Sequence, residues 1–352
     1  MDSTGTTGGR TISKRITFVG SLLVTAFLFA PLSEAQRYRW RDYDDKAVEW
    51  FASDEANRIA SNILTYQGPH GGFTKNDEMV SKPYDGAPAD LYSTFDNGAT
   101  YGQLPFIAHM YWATEDRTYA DACIRVIDYI LSAQYPNGGF PQRYPLRSRY
   151  SDHITFNDDA MIGVVRLLQT VIEDEAYAFI GQDRLRGVHE AWERGLSCIL
   201  NAQVVVDGRK TVWCAQHDAG TLEPRGARSY EHPSLSGAES AGILTFLMDQ
   251  EDPSEEIADA VNAGAAWFEG SGLVGIRLER TDDDRIVVKD PDASPVWARF
   301  YEIGSNRPIF SGRDGVIKYS LAEIEHERRN GYSWYGGWGR RVADRYAAWL
   351  DR

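Results

Sequence analysis

Two kinds of apolar run alternate along the chain, and their order outlines an architecture. From Lys46 to Gln67, the residues Val48, Phe51, Ala52, Ile59, Ile63 and Leu64 recur at helical spacing. The predicted helix closes on Asn62-Ile-Leu-Thr-Tyr-Gln67 and runs into Gly68-Pro-His-Gly-Gly-Phe-Thr-Lys-Asn76. The same close returns at Tyr129-Ile-Leu-Ser-Ala-Gln134, before Tyr-Pro-Asn-Gly-Gly-Phe-Pro-Gln-Arg143. It returns again at Cys198-Ile-Leu-Asn-Ala-Gln203, here with a longer link to Trp213-Cys-Ala-Gln-His-Asp218. Gly264-Ala-Ala-Trp-Phe268 is a weaker fourth echo.

A second set of helices interleaves with the first. Predicted openings are Asp96-Asn-Gly-Ala-Thr-Tyr-Gly-Gln-Leu, Asn157-Asp-Asp-Ala-Met-Ile-Gly-Val-Val and Ser236-Gly-Ala-Glu-Ser-Ala-Gly-Ile-Leu. Each starts on a capping-type residue and continues with small and apolar side chains, which permit close packing of inner helices. A helix pair with a Gly-rich connection, repeated about three times, predicts an all-α toroid or closed α/α barrel with long loops. Ile286-Val-Val-Lys, between acids and prolines, predicts a short strand or hairpin arm. Ser320 to Arg329 reads as a final polar helix, and Gly331 to Trp338 as aromatic loop.

The start of the chain stands apart. Arg10, Lys14 and Arg15 precede an apolar run from Ile16 to Leu32, and Ser33-Glu34-Ala35 is a small-x-small site before Gln36. That order reads as a signal peptide over residues 1–35, with one catalytic unit over 36–352 and export to the periplasm or medium. An uncleaved anchor is the alternative, but the run is short for a spanning helix and no second one follows. Three cysteines, Cys123, Cys198 and Cys214, exclude a disulfide scaffold. A formal charge of -14 argues against nucleic acid as a partner. The expected species is a monomer.

Against that acidity, two basic stretches stand out. Arg299, Arg307 and Arg313 lie among aromatics, Gly and Pro, and Arg225 and Arg228 precede the third inner helix; Lys75 is a further cation. Guanidinium forks fit carboxylates in bidentate fashion, so these loops suit a polyanion. Asp96 with Asn97, and Asn157 with Asp158 and Asp159, fall at equivalent points of successive repeats. Such residues are ordinary N-caps. Two or three together, with no paired Cys or His, also form a set of hard oxygens suited to Ca²⁺ rather than Zn²⁺. His217 either orients a ligand or holds its loop.

Several separated motifs in this order resemble polysaccharide lyase family 10, the pectate lyases. They are Gly71-Gly-Phe-Thr-Lys-Asn76, Thr94-Phe-Asp-Asn-Gly-Ala-Thr100, Gly138-Gly-Phe-Pro-Gln-Arg-Tyr-Pro145, Phe156-Asn-Asp-Asp-Ala-Met161, and Arg299-Phe-Tyr-Glu-Ile through Phe310-Ser-Gly-Arg-Asp-Gly315. Thr74 departs from the Pro often found there, which touches only local loop shape. The resemblance spans about Phe51 to Trp338. It implies an (α/α)₃ toroid and Ca²⁺-assisted β-elimination of polygalacturonate to unsaturated oligogalacturonides. It also implies Asp96 and Asp158 as Ca²⁺ ligands beside Asn97, and an arginine as Brønsted base, placed by motif at Arg313 with Arg307 second. Arg228 and Arg299 resemble substrate-carboxylate contacts, with Arg225 an alternate and Lys75 a further contact. Two other readings stay open: an α-toroid glycoside hydrolase using Asp96 and Asp158, and a non-catalytic uronate-binding protein.

Overall fold

The first apolar run forms two helices rather than one. In the computed structural model, which describes Tyr43 and residues 45–352, a single turn over Val48–Phe51 ends at Ala52. A new helix starts because Ser53 accepts a hydrogen bond from the Ala56 N–H, capping it. The expected leader over 1–35 lies outside the described residues. The long helices are α1 (Asp54–Thr65), α2 (Gln103–Thr114), α3 (Arg117–Ala133), α4 (Ala160–Glu173), α5 (Gln182–Asn201), α6 (Gly237–Met248), α7 (Glu255–Ser271) and α8 (Trp338–Leu350).

Burial sorts them into two layers. In α6, the side chains of Ala241, Ile243, Leu244, Phe246, Leu247 and Met248 are all buried, so the helix is apolar around its circumference and lies inside. Helix α2 is similar, with Leu104, Phe106, Ile107 and Met110 buried. By contrast, α5 buries one stripe, Val188, Ala191, Gly195, Cys198 and Ile199, and turns its charges outward. The result is the expected all-α toroid of repeated helix pairs, with α2, α4 and α6 within and α1, α3, α5 and α7 without. One hydrophobic cluster runs through all of them. Strands are short antiparallel pairs; the longest is the hairpin of Ile276–Arg280 with Arg285–Lys289, where a strand or hairpin was predicted.

The repeated glutamine is the joint of each repeat. Gln67 Nε2 donates to Gly71 O (2.8 Å) in its own connection and to Ala122 O (3.0 Å) in the next outer helix. Gln134 does the same to Gly138 O (3.0 Å) and Ala191 O (2.7 Å), and Gln203 to Thr211 O (2.9 Å) and Ala260 O (3.0 Å). Arg125 and Arg194 donate to the amide oxygens of Gln67 and Gln134, whereas Gln203 Oε1 is buried without a partner. Gly71 and Gly138 serve this joint at φ 99° and 90°. A Cβ there would lie 2.3 Å from Arg125 O and 1.9 Å from Arg194 O.

One expectation about the end of the chain needs correction. Ser320 to Arg329 is not a helix throughout: a 3₁₀ turn at Leu321–Glu323 and a five-residue helix at His326–Asn330 share it. The final long helix is instead α8, packed on α6 and α7 through Val342 and the Tyr346 hydroxyl, which donates to Asn262 Oδ1 at 2.7 Å. The three cysteines are buried and unpaired, Cys123 and Cys198 inside helices as expected.

Candidate active site

Two short turns of related sequence precede the inner helices: Phe95-Asp96-Asn97-Gly98-Ala99 before α2 and Phe156-Asn157-Asp158-Asp159-Ala160 before α4. Each contains one turn of 3₁₀ helix whose second and third residues are left-handed, at φ 55° (Asn97), 83° (Gly98), 52° (Asp158) and 58° (Asp159). Asn and Asp tolerate that conformation because their short polar side chains bond locally. None of these side chains caps a helix. Asp159 stands at the N-cap position of α4 but makes no capping bond, so the N-cap reading does not account for these acids.

The two turns touch each other, and the second also touches α6. Asp96 is 3% exposed and ion-paired with Lys75, yet its Oδ1 is buried with no hydrogen-bond partner. Asn97 Nδ2 donates to Asn76 Oδ1 at 3.1 Å. In the second turn, Asn157 Nδ2 donates to Asp158 Oδ2 (2.6 Å) and Asn157 Oδ1 accepts from Arg299 Nη2 (3.2 Å). Asp158 and Asp159 are solvent-accessible. Surrounding protein raises the Asp159 carboxyl above the usual carboxylate range, with Asp158 adding to the shift against Arg341 and Arg166.

Arg299 ties the turns to a wall of aromatics and cations. Its guanidinium is ion-paired with the buried Glu239 on α6 and lies 4.7 Å from the Tyr332 ring. Burial opposes its charge, but Glu239, Tyr332 and Asp158 outweigh it and hold the group well above its ordinary value. Its Nε is a buried donor without a partner. Arg228 also lies against Tyr332, 5.7 Å from that ring, with Nε 2.7 Å from Glu231 Oε2. Tyr332 donates to Glu231 Oε1 at 2.7 Å, so Arg228, Glu231, Tyr332, Arg299, Glu239, Asn157 and Asp158 form one connected network.

Comparison with known proteins now decides the family. The sequence profile described as pectic acid lyase matches residues 67–343, most of the chain. The family 10 polysaccharide lyase from Cellvibrio cellulosa has a similar structure, with 34% identity, a TM-score of 0.78, and coverage of 90% of this chain and 97% of that one. A mutant of that enzyme in complex with trigalacturonic acid gives 34% identity and a TM-score of 0.77, covering 85% of this chain and 95% of that one. The chain belongs to the pectic acid lyase family. It is a polysaccharide lyase by that membership. A search of curated proteins finds no match.

Not all the expected residues of this lyase join the network. Arg313 is 64% exposed at its side chain and paired with Glu327 through Nε (2.9 Å) and Nη2 (3.0 Å). Arg307 lies 3.6 Å over the ring of Tyr319. Among the described residues, neither is hydrogen-bonded or ion-paired to Asp96, Asp158, Asp159 or Glu239. Arg225 grips Asp218 at 3.0 and 2.9 Å and lines a small pocket with Asn157, Gln216 and His232. The loop-holding reading of His217 fits the geometry: Nδ1 donates to Leu222 O (2.7 Å), and Nε2 accepts from the Cys214 N–H (3.1 Å). Burial pushes that imidazole down to about 4, so it is neutral near neutral pH.

Sequence reasoning gave no role to Glu231, Glu239, Tyr332 or Tyr101, and read Asn157 as a cap or hard-oxygen ligand rather than as the partner of Arg299. Tyr101 feels the acids: its hydroxyl is pushed far up by burial and by Asp159, Asp96 and Asp158. Its ring occupies the space a side chain at Gly163 would need, with a Cβ there 2.2 Å from Tyr101 Cζ. The signals were present. Glu239 stands three residues after the Ser236 cap, and the pair Phe-Asp-Asn and Phe-Asn-Asp marks the shared turn.

Proposed function

We propose that this lyase cleaves α-1,4-linked polygalacturonate by Ca²⁺-assisted β-elimination, with an arginine as Brønsted base. The observation that carries the reading is Asp96 Oδ1, a carboxylate oxygen buried without a partner beside a second, solvent-accessible carboxylate at Asp158. Among the described residues, no three Asp, Glu, His or Cys side chains gather into a closed metal site. Two carboxylates with Asn97 beside them instead suit an open site that a substrate carboxylate completes. Bound there, Ca²⁺ would neutralise that carboxylate and make the C5 proton more acidic.

The chain's own residues account for the rest. Arg299, held by Glu239 and Asn157, is the cation that would meet a substrate carboxylate beside the turns. We assign the base to Arg228 rather than Arg313, because Arg228 belongs to the wall that reaches Asp158. Glu231 engages its Nε and Nη2 and leaves Nη1 to accept a proton. Burial opposes the charge of Arg228, but Glu231, Tyr332 and Tyr230 outweigh it and hold the group charged in the resting chain. Arg228 acts as base only after Nη1 has given up a proton to water; the C5–H bond then breaks toward that neutral nitrogen, the C4=C5 bond forms, the C4–O bond to the leaving sugar breaks, and the leaving oxygen takes a proton from water. Export, implied by residues 1–35, would bring the enzyme to a polymer outside the cell.

The test is the near-ultraviolet absorbance of unsaturated uronide product. Arg228→Ala should lower its rate about 10²–10⁴-fold, the range for a lost proton-transfer group. If Arg228→Ala stays active while Arg313→Ala does not, the base returns to Arg313. Chelation should stop the reaction and added Ca²⁺ restore it; full activity in chelator removes the metal from Asp96 and Asp158. Cleavage without unsaturation would mark a hydrolase, and binding without cleavage a uronate-binding protein.

A further inference from the structure

A second group of cations stands outside this network. Arg143, Arg147 and Arg149 occupy one loop, and among the described residues none of their guanidiniums is ion-paired. The nearest acid in sequence, Asp152, spends its oxygens on the backbone N–H groups of Arg147 (3.0 and 2.9 Å) and Ser148 (2.5 Å). Arg143 lies 4.5 Å over the ring of Tyr92, which fixes the plane of its fork. Burial and then the charges of Arg147 and Arg149 depress the Arg143 pKa, so the three groups feel one another. Tyr92 and Tyr150 are exposed beside them, at 38% and 39%.

The loop is fastened to the first site turn. Thr94 bridges to Arg143, Thr94 Oγ1 donates to Gln142 O (2.7 Å), and the Phe95 N–H donates to the same oxygen (2.9 Å). Asp96 follows directly, its N–H donating to Thr94 Oγ1 at 3.2 Å. Three guanidiniums left uncompensated in a chain of charge -14 repel one another, and a nearby intramolecular acid would relieve them. An anionic ligand relieves them equally well, and flat exposed tyrosines give its sugar rings a surface.

We propose that the loop over residues 143–150 is an outlying subsite that binds galacturonate units of a long chain beyond those held at Asp96. The proposal rests on the polygalacturonate reading above for the identity of the ligand. It makes Arg147 and Arg149 determinants of preference for polymer over short oligomers. They bind substrate and take no part in the elimination.

The experiment compares Arg147→Gln/Arg149→Gln with a control, Arg117→Gln/Arg186→Gln, which removes the same charge from the outer-helix ends remote from the turns. Binding of polygalacturonate and of trigalacturonic acid is measured by calorimetry, which requires no turnover, at low and high salt. The expected result is a Kd for polymer about 5–10-fold weaker in the loop variant at low salt, a difference that shrinks at high salt. The trimer Kd and the control should stay within about twofold of wild type. Unchanged polymer affinity overturns the proposal, as do equal losses for trimer and polymer or an equal loss in the control. Wild-type protein that binds polymer through this loop but forms no unsaturated product would sink the lyase mechanism and leave the subsite standing.

Discussion

The two site turns share a backbone and exchange their side chains. In the first, the acid comes first and points inward, where Asp96 meets Lys75; the amide Asn97 follows at φ 55°. In the second, the amide comes first, where Asn157 meets Arg299, and the acid Asp158 follows at φ 52°. Repetition thus supplies one scaffold twice, and the order of Asp and Asn decides which oxygen is buried and which is reachable. A pair of identical turns would place both carboxylates together, either both against cations or both in water. The exchange gives one of each, and the cation site proposed above uses both.

The most damaging way to break the asymmetry is to remove either acid. Asp96→Asn and Asp158→Asn should each lower kcat/KM for polygalacturonate by about 10²–10³, as losing one charge-stabilising group does. The exchange Asp96→Asn/Asn97→Asp, which gives the first turn the order of the second, should fall as far although no carboxylate is lost. Full activity in that double variant would show that the order is incidental.

A smaller effect is expected from Asn157→Asp, because the new carboxylate competes with Glu239 for Arg299. Roughly a tenfold fall in kcat/KM should result, with substrate affinity falling more than turnover. A variant as active as wild type would detach Arg299 from the second turn.

Acid should separate the two turns as well. Only the second turn's strand pairs with His217, through Ile154. The His217 folded-state pKa is about 4 against an ordinary 6.5, so the unfolded chain binds the extra proton. Stability is complete above the unfolded value, is lost as pH falls from there toward about 4, and is then constant. The loss is about 3 kcal/mol. Denaturant midpoints at about pH 7 and about pH 4.5 should therefore differ less for His217→Gln than for wild type. Equal slopes would remove the imidazole from this role. The smallest change is expected for Arg313→Ala, within about threefold of wild-type activity, since its exposed guanidinium serves Glu327.

Much of this was legible in residue order. The glutamine closes and their Gly-rich sequels predict the outer helices, and small apolar runs predict the inner ones. Glutamine's double use as donor to its own loop and to the next helix was not legible, because it depends on carbonyls 55 and 57 residues away. Helix α8 was missed for a different reason: Val342, Tyr346 and Trp349 keep helical spacing but are scattered among arginines and an aspartate. The acids were found, yet as helix caps or ligands alike, since positive φ cannot be read from Asp and Asn alone. Choosing among arginines depended on Tyr332 and Glu231, which lie about a hundred residues apart in sequence, so no local pattern could single out Arg228.

The glutamine joint has a consequence for how such a protein can change. Each joint clamps its connection to the neighbouring outer helix, through a carbonyl four residues on in the first two and eight residues on in the third. Whatever the chain does after that clamp leaves the ring closed. The third connection uses this latitude both ways, folding a small hairpin at Val205–Val206 and Arg209–Lys210 inside the clamp and running on past Arg225 and Arg228 before α6 begins. Length and composition there can vary with little effect on the barrel, as loop-closure entropy grows only slowly with added residues. The turn at Asp207–Gly208 is therefore the place to lengthen the chain without rebuilding its core, because Arg228, Tyr230 and Glu231 hold the segment that follows.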